Sequence, residues 1–125
     1  MEKLIIEPTK TSPNICLDPA NQQYEISGQS FPEDPKEVFN PIFKWLEDNL
    51  PRISQPISFK MQPEYFNSAS NRLLLKLFRI LEMFAQTGKN IEVIWYYSDE
   101  DSENDGLIFQ KIVNLPFEMF YSPSS

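Results

Sequence analysis

The hydrophobic period of this chain changes twice between Ile57 and Tyr97, and that change restricts its fold more than any other feature. Ile57-Ser58-Phe59-Lys60-Met61 alternates as a half-buried strand does, and the strand is read as running to Gln62. From Ala69 to Gln86 the period becomes helical, with Leu74, Leu77, Phe78, Leu81, Phe84 and Ala85 on one stripe. Leu73, Ile80 and Met83 widen the stripe, and Thr87-Gly88 supplies a glycine terminator. Ile91–Tyr97 is then dense in β-branched and aromatic residues, the composition of a strand. A strand-helix-strand unit favours a right-handed crossover between parallel strands. The stripe reads as a central helix buried on most of its girth; a hydrophobic edge that faces a partner is the alternative.

The flanking sequence extends this pattern. Asn14–Asp18 and Gln23–Gly28 read as a hairpin joined at residues 19–22, with Ile15, Leu17, Tyr24 and Ile26 alternating toward one face. Gly28–Glu33 reads as a loop. Asp34-Pro35 opens a helix with an acidic cap and a proline in the first turn, Pro51 stops it, and Pro41 inside it predicts a bend or a later start. A short helix near Leu107–Val113 and an edge strand at Phe117–Phe120 complete the order. The expected fold is α/β: one domain over residues 1–125, an N-terminal β-hairpin feeding a mixed sheet of four to five strands packed by about three helices. Residues 1–13 and 122–125 are expected to be loosely held termini.

If the second to fourth of these strands are parallel, their C-terminal ends share one rim. Residues 29–33, 65–72 and 98–106 would lie along it, where sites in α/β sheets collect.

Several function classes lack the residues they need. The 125 residues include 41% hydrophobic ones, enough for a real core. The formal net charge is -7, so a basic footprint for nucleic acid is missing and an anionic membrane surface would repel the chain. With no histidine, the commonest general base and the usual zinc imidazole are gone. The single Cys16 forms no internal disulfide and reads as inert strand packing. No signal-peptide core or membrane-length apolar run is present, so the cytoplasm is the expected compartment. The three glycines are scattered, which leaves no phosphate-binding loop. Residues 98–106 tempt a calcium reading from Asp101, with Glu103, Asp105 and Gly106 in step, but the twelfth position is Ile112 rather than a bidentate Glu. A solvated acidic loop is the plainer account. No metal site, cofactor or catalytic constellation is therefore expected.

Ser68 remains. It stands just before the central helix, where a serine hydroxyl ordinarily caps an orphan N–H, so Ser68→Ala is expected to cost about 1 kcal/mol. A phosphate is also electrostatically welcome there. Capping and phosphorylation are compatible.

Gly28-Gln29-Ser30-Phe31-Pro32-Glu33, Trp45, Tyr65-Phe66-Asn67-Ser68-Ala69-Ser70, Trp95-Tyr96-Tyr97 with its acidic tail, and Pro116-Phe117 together resemble the SiaC family. These are small bacterial regulatory phosphoproteins with a fold similar to anti-sigma-factor antagonists of the STAS type. The family pattern reads approximately Tyr-[Leu or Phe]-Asn-Thr-Ser-Ser-x-Lys, with Thr as phosphoacceptor; Ser68 stands at that Thr and Arg72 at that Lys. Ala69 removes one hydroxyl, and Ser70 is a rival acceptor. The resemblance implies a non-enzymatic partner switch: a serine/threonine kinase with a histidine-kinase-like ATPase fold phosphorylates Ser68, and a PP2C-type phosphatase reverses it. In the best understood members the unphosphorylated form binds and activates a diguanylate cyclase. The implied partner-binding residues are Phe31, Glu33, Tyr65, Asn67, Ser70 and Arg72. A small-molecule or metal-binding sensor domain using the same rim is the alternative reading, and an enzyme without a recognised motif is a third.

Overall fold

Alternation along the strands decides the layers of this protein. In the computed structural model, which describes residues 2–123, Ile15, Leu17, Tyr24, Ile26, Ile57, Phe59, Met61, Ile91, Val93 and Trp95 are all buried, whereas the residues between them are more exposed. Among the described residues six strands form one sheet: β1 (Leu4–Ile6), β2 (Asn14–Asp18), β3 (Gln23–Ser30), β4 (Ile57–Phe66), β5 (Ile91–Tyr97) and β6 (Phe117–Tyr121). Their spatial order equals their chain order. β1–β3 pair antiparallel, and β3–β6 pair parallel, as expected for β3, β4 and β5.

Three helices cross between the parallel strands: α1 (Pro35–Asn49), α2 (Ser68–Gln86) and α3 (Glu100–Ile112). Each crossover steps the same way across the sheet, so crossovers of one hand put all three helices on one face. Their apolar residues join the inward strand residues in one core cluster. Leu74, Leu77, Phe78 and Leu81 of α2 are fully buried, as the central-helix reading expected. Truncating any one of them to alanine would cost about 2–5 kcal/mol. Asp34 caps α1, its side chain accepting from the Lys36 N–H, with Pro35 in the first turn. Pro41 is accommodated within α1 without ending it.

Four expectations need correction. Residues 1–13 contain β1, whose Leu4 and Ile6 pack on the core, and the Trp45 indole N–H donates to the Glu2 carbonyl at 3.2 Å. The sheet accordingly has one strand more than the four to five expected. The acidic segment is not a loop: α3 begins at Glu100, because Asp99 and Ser102 form a reciprocal capping box. Acidic side chains suit a first helical turn, where the helix dipole is positive. Finally, β3 and β4 run past Gly28 and Gln62 to Ser30 and Phe66. Of the expected C-terminal tail, residues 124 and 125 lie outside the described residues.

That last correction aims side chains at the rim. Gly28 pairs with Pro63 but Gln29 pairs with Tyr65, so Glu64 is an extra residue on β4. Pro63 has no N–H for the ladder, and Gly28 takes a left-handed φ of 94° opposite it. Before the bulge the odd-numbered residues of β4 face the core; after it Phe66 is buried and Tyr65 is 56% exposed.

Candidate functional site

The C-terminal ends of β3, β4 and β5 lead into residues 31–34, the start of α2 and the start of α3. Two backbone links fix this rim: the Asn67 N–H donates to the Ser30 carbonyl at 3.0 Å, and the Phe31 N–H donates to the Thr11 carbonyl at 2.8 Å.

Asn67, not Ser68, is the N-cap of α2. Its backbone is extended, and its side-chain oxygen accepts from the Ser70 N–H at 2.9 Å. Its carbonyl takes the Asn71 N–H at 2.9 Å. Asn caps as well as Ser does, so local sequence does not choose between adjacent candidates. Ser68 becomes the first residue of the helix, exposed, with its hydroxyl free of the capping role. The Ser68 and Ala69 amides have no intrahelical acceptor at this position.

Ser70 points the other way. It has no exposed surface, and its hydroxyl lies 2.7 Å from that of Ser30, also wholly buried. Ser70, expected as rival acceptor and partner contact, is thus held off the surface that either part would need. A signal for it existed in the sequence: Ser70, Leu74, Leu77 and Leu81 follow one helical stripe, so Ser70 is in phase with the core.

The other expected contact residues reach the surface. Phe31 (37% exposed) and Tyr65 form an aromatic pair with ring centroids 5.8 Å apart, and Glu33 is exposed in the segment before α1. Arg72 is exposed one turn beyond Ser68 on α2.

The structure also brings together residues that the sequence did not associate. The Asn71 side-chain amide donates to Asp105 of α3 at 3.2 Å and to the Phe66 carbonyl at 3.5 Å. Its own oxygen is buried without a partner among the described residues. Burial pushes the Asp105 carboxyl above its ordinary 3.8; the Asn71 bond opposes this, and repulsion from Asp101 and Asp99 adds to it. Below this pair a groove of about 320 Å³ separates α2 from α3, lined by Ser68, Asn71, Arg72, Leu75, Asp105, Ile108, Phe109 and Ile112. A smaller cleft of about 220 Å³ lies between Tyr65 and the first turns of α3.

The helical conformation of Glu100–Ile112 also removes the calcium reading. Helical spacing spreads Asp101, Glu103 and Asp105 around an axis, where a calcium loop must wrap its ligands about one point. No cluster of three or more metal-ligating side chains occurs among the described residues, and no helix among them is long and apolar enough to cross a membrane. The arrangement offers one exposed hydroxyl at a helix N-terminus, flanked by an aromatic pair, a cationic side chain and an apolar groove.

Known proteins share this arrangement of elements. A chain from the crystal structure of apo-SiaC from Pseudomonas aeruginosa superimposes with a TM-score of 0.88 at 24% identity, covering 95% of this chain and 98% of that one. A chain from the crystal structure of the diguanylate cyclase SiaD in complex with its activator SiaC, from the same organism, gives 0.88 at 24% identity, covering 95% and 99%. At that identity these likenesses speak for the fold. An uncharacterized protein of Pseudomonas aeruginosa strain UCBPP-PA14 is 27% identical over 119 residues, 94% of each chain. Residues 6–122 match the SiaC family regulatory phosphoprotein pattern, so the chain belongs to the SiaC family.

Proposed function

We propose that this chain is a non-enzymatic signalling switch that is reversibly phosphorylated on Ser68 and binds its target when Ser68 is unmodified. The observation that carries the reading is the opposite fate of two hydroxyls two residues apart. Ser68 is exposed in the first turn of α2, whereas Ser70 is sealed against Ser30. A kinase needs access to the acceptor oxygen, and only Ser68 offers it without unfolding the helix start. Phosphate there adds roughly -1.5 to -2 charges at a helix N-terminus, where the dipole favours them.

The partners proposed are a cognate serine/threonine kinase with a histidine-kinase-like ATPase fold, a PP2C-type phosphatase and, as target, a diguanylate cyclase. The complex of the related SiaC with the diguanylate cyclase SiaD supports the last of these. Phe31, Glu33, Tyr65 and Arg72 are the exposed rim residues proposed to meet a partner; Asn67 holds the rim in shape.

The test is incubation with the cognate kinase and ATP, followed by intact-mass measurement and peptide mapping. One added phosphate on Ser68, absent from Ser68→Ala, is expected. Phosphate on Ser70, or on neither serine, would sink the reading.

A further inference from the structure

The exposed side of α2 differs in charge from the protein as a whole. Arg72, Lys76 and Arg79 stand at i, i+4 and i+7 and are all exposed, on a chain of net charge -7. The only acidic residue of α2, Glu82, is buried, bound by Arg79 at 2.9 Å and by the Asn114 N–H at 2.5 Å. Arg72 and Lys76 take no part in the two ion pairs found among the described residues. The Lys76 ammonium lies 4.9 Å from the Phe43 ring centroid, which draws its charge toward the α1 side of the ridge. The exposed charges of α2 are thus all cationic, with Met83, 65% exposed, continuing the same ridge.

Beside this ridge lies the α2–α3 groove. Its floor is apolar: Leu75 is half-buried, Ile108 is 58% exposed and Ile112 44% exposed. Exposed branched aliphatics one turn apart on α3, next to a row of cations on α2, match the two faces of an amphipathic helix. Asp105 at the head of the groove is half-buried and engaged by Asn71, so the exposed charge bordering the floor is that of Arg72.

We propose that the α2–α3 groove and the cationic ridge beside it form the docking face for an acidic amphipathic helix of a partner protein. Its apolar residues would cover Leu75, Ile108 and Ile112, and its carboxylates would meet Arg72 at the groove edge first, with Lys76 beyond it on the α1 side. The proposal deepens the switch reading and rests on it for one consequence. Ser68 and Arg72 are four residues apart on the same ridge, so a phosphate on Ser68 takes up the Arg72 guanidinium. It then competes within the molecule for the cation that the partner reads and repels the incoming carboxylates.

The experiment uses isotope-labelled, unphosphorylated protein and two designed helical peptides of about 20 residues. Both carry the same leucine face, and their opposite faces carry glutamate or lysine. The glutamate peptide is expected to bind about tenfold or more tightly than the lysine peptide at low salt, and the preference is expected to shrink as salt rises. Amide shifts should centre on Arg72, Leu75, Lys76, Ile108 and Ile112. The double variant Arg72→Glu, Lys76→Glu should reverse the preference, and Ile108→Asp should weaken both peptides. Equal affinity for the two peptides, binding of neither, or shifts centred on the open sheet face would overturn the proposal. Concentration-dependent broadening of the same amides without peptide would assign the groove to a second copy of the chain and overturn it too. No kinase enters this experiment, so its failure leaves the Ser68 reading standing, and a missing phosphate on Ser68 leaves the groove standing.

Discussion

The hydroxyls of Ser30 and Ser70 lie 2.7 Å apart with no solvent exposure on either residue, so the end of β3 and the first turn of α2 share one sealed hydrogen bond. Removing one partner leaves the other as a buried polar group without a mate, which costs about 1–3 kcal/mol; removing both is close to neutral. Ser70→Ala and Ser30→Ala should each lower the unfolding free energy in urea by that amount, and the double alanine variant should recover most of it. Ser68→Ala should change stability by no more than about 0.5 kcal/mol, because its exposed hydroxyl is not the cap.

The cap itself is Asn67. Asn67→Ala removes the acceptor for the Ser70 N–H and should cost about 1 kcal/mol, whereas Asn67→Asp should keep the bond. The aspartate also places a negative charge beside Ser68, so it should slow transfer of the anionic phosphoryl group to that hydroxyl. Denaturation midpoints together with initial phosphorylation rates separate the two effects.

Much of this was legible from hydrophobic period alone. The β4-α2-β5 unit, the β2–β3 hairpin, the parallel direction and the shared rim follow from where the period changes and from the handedness of crossovers. What was not legible depended on choices between near-equal local signals. Asn67 and Ser68 are equally good caps by local sequence, whereas the phase of Ser70 with Leu74 and Leu77 marks that serine as the inward-facing one of the two serines. The acidic run 98–106 reads as a solvated loop because its charge hides a helix start. Asp99 as cap and Ser102 as its reciprocal partner are the local signal of that start. β1 is not legible in the sequence because three residues carry too little periodicity, and its pairing comes from the neighbouring strand. The Asn71–Asp105 contact spans two helices, and no local pattern encodes it.

Gly106 is set by a close approach. A Cβ there would lie 2.5 Å from Trp95 Nε1 and 2.7 Å from both Trp95 Cδ1 and Met119 Cε. The indole is fully buried and donates to the Ser102 carbonyl at 3.0 Å, so it has little room to retreat. Gly106→Ala should therefore destabilise the protein by about 1–3 kcal/mol through overpacking, despite alanine's better helix propensity. The intrinsic fluorescence of Trp95 should change in the folded state. A variant as stable as the parent would mean that α3 slides on the sheet more freely than the Trp95 contact allows.

Asp105 should make stability depend on pH in a direction opposite to that of an ordinary ion-paired carboxylate. Its folded-state pKa is raised above 3.8, chiefly by burial, with Asp101 and Asp99 adding to the rise and Asn71 opposing it. Between the unfolded and folded values the native state binds more protons than the unfolded chain. The contribution is thus fully present below about pH 3.8 and is lost as pH rises through the folded pKa. Asp105→Asn keeps an oxygen for the Asn71 amide and abolishes the titration. At pH 7 the variant should be more stable than the parent, by less than about 1 kcal/mol because solvent still reaches the carboxylate. Below about pH 4 the two should converge. Urea midpoints for both proteins across this window decide the matter. A parent that gains stability relative to Asp105→Asn as pH rises would mean that the Asn71 bond outweighs burial at this carboxylate.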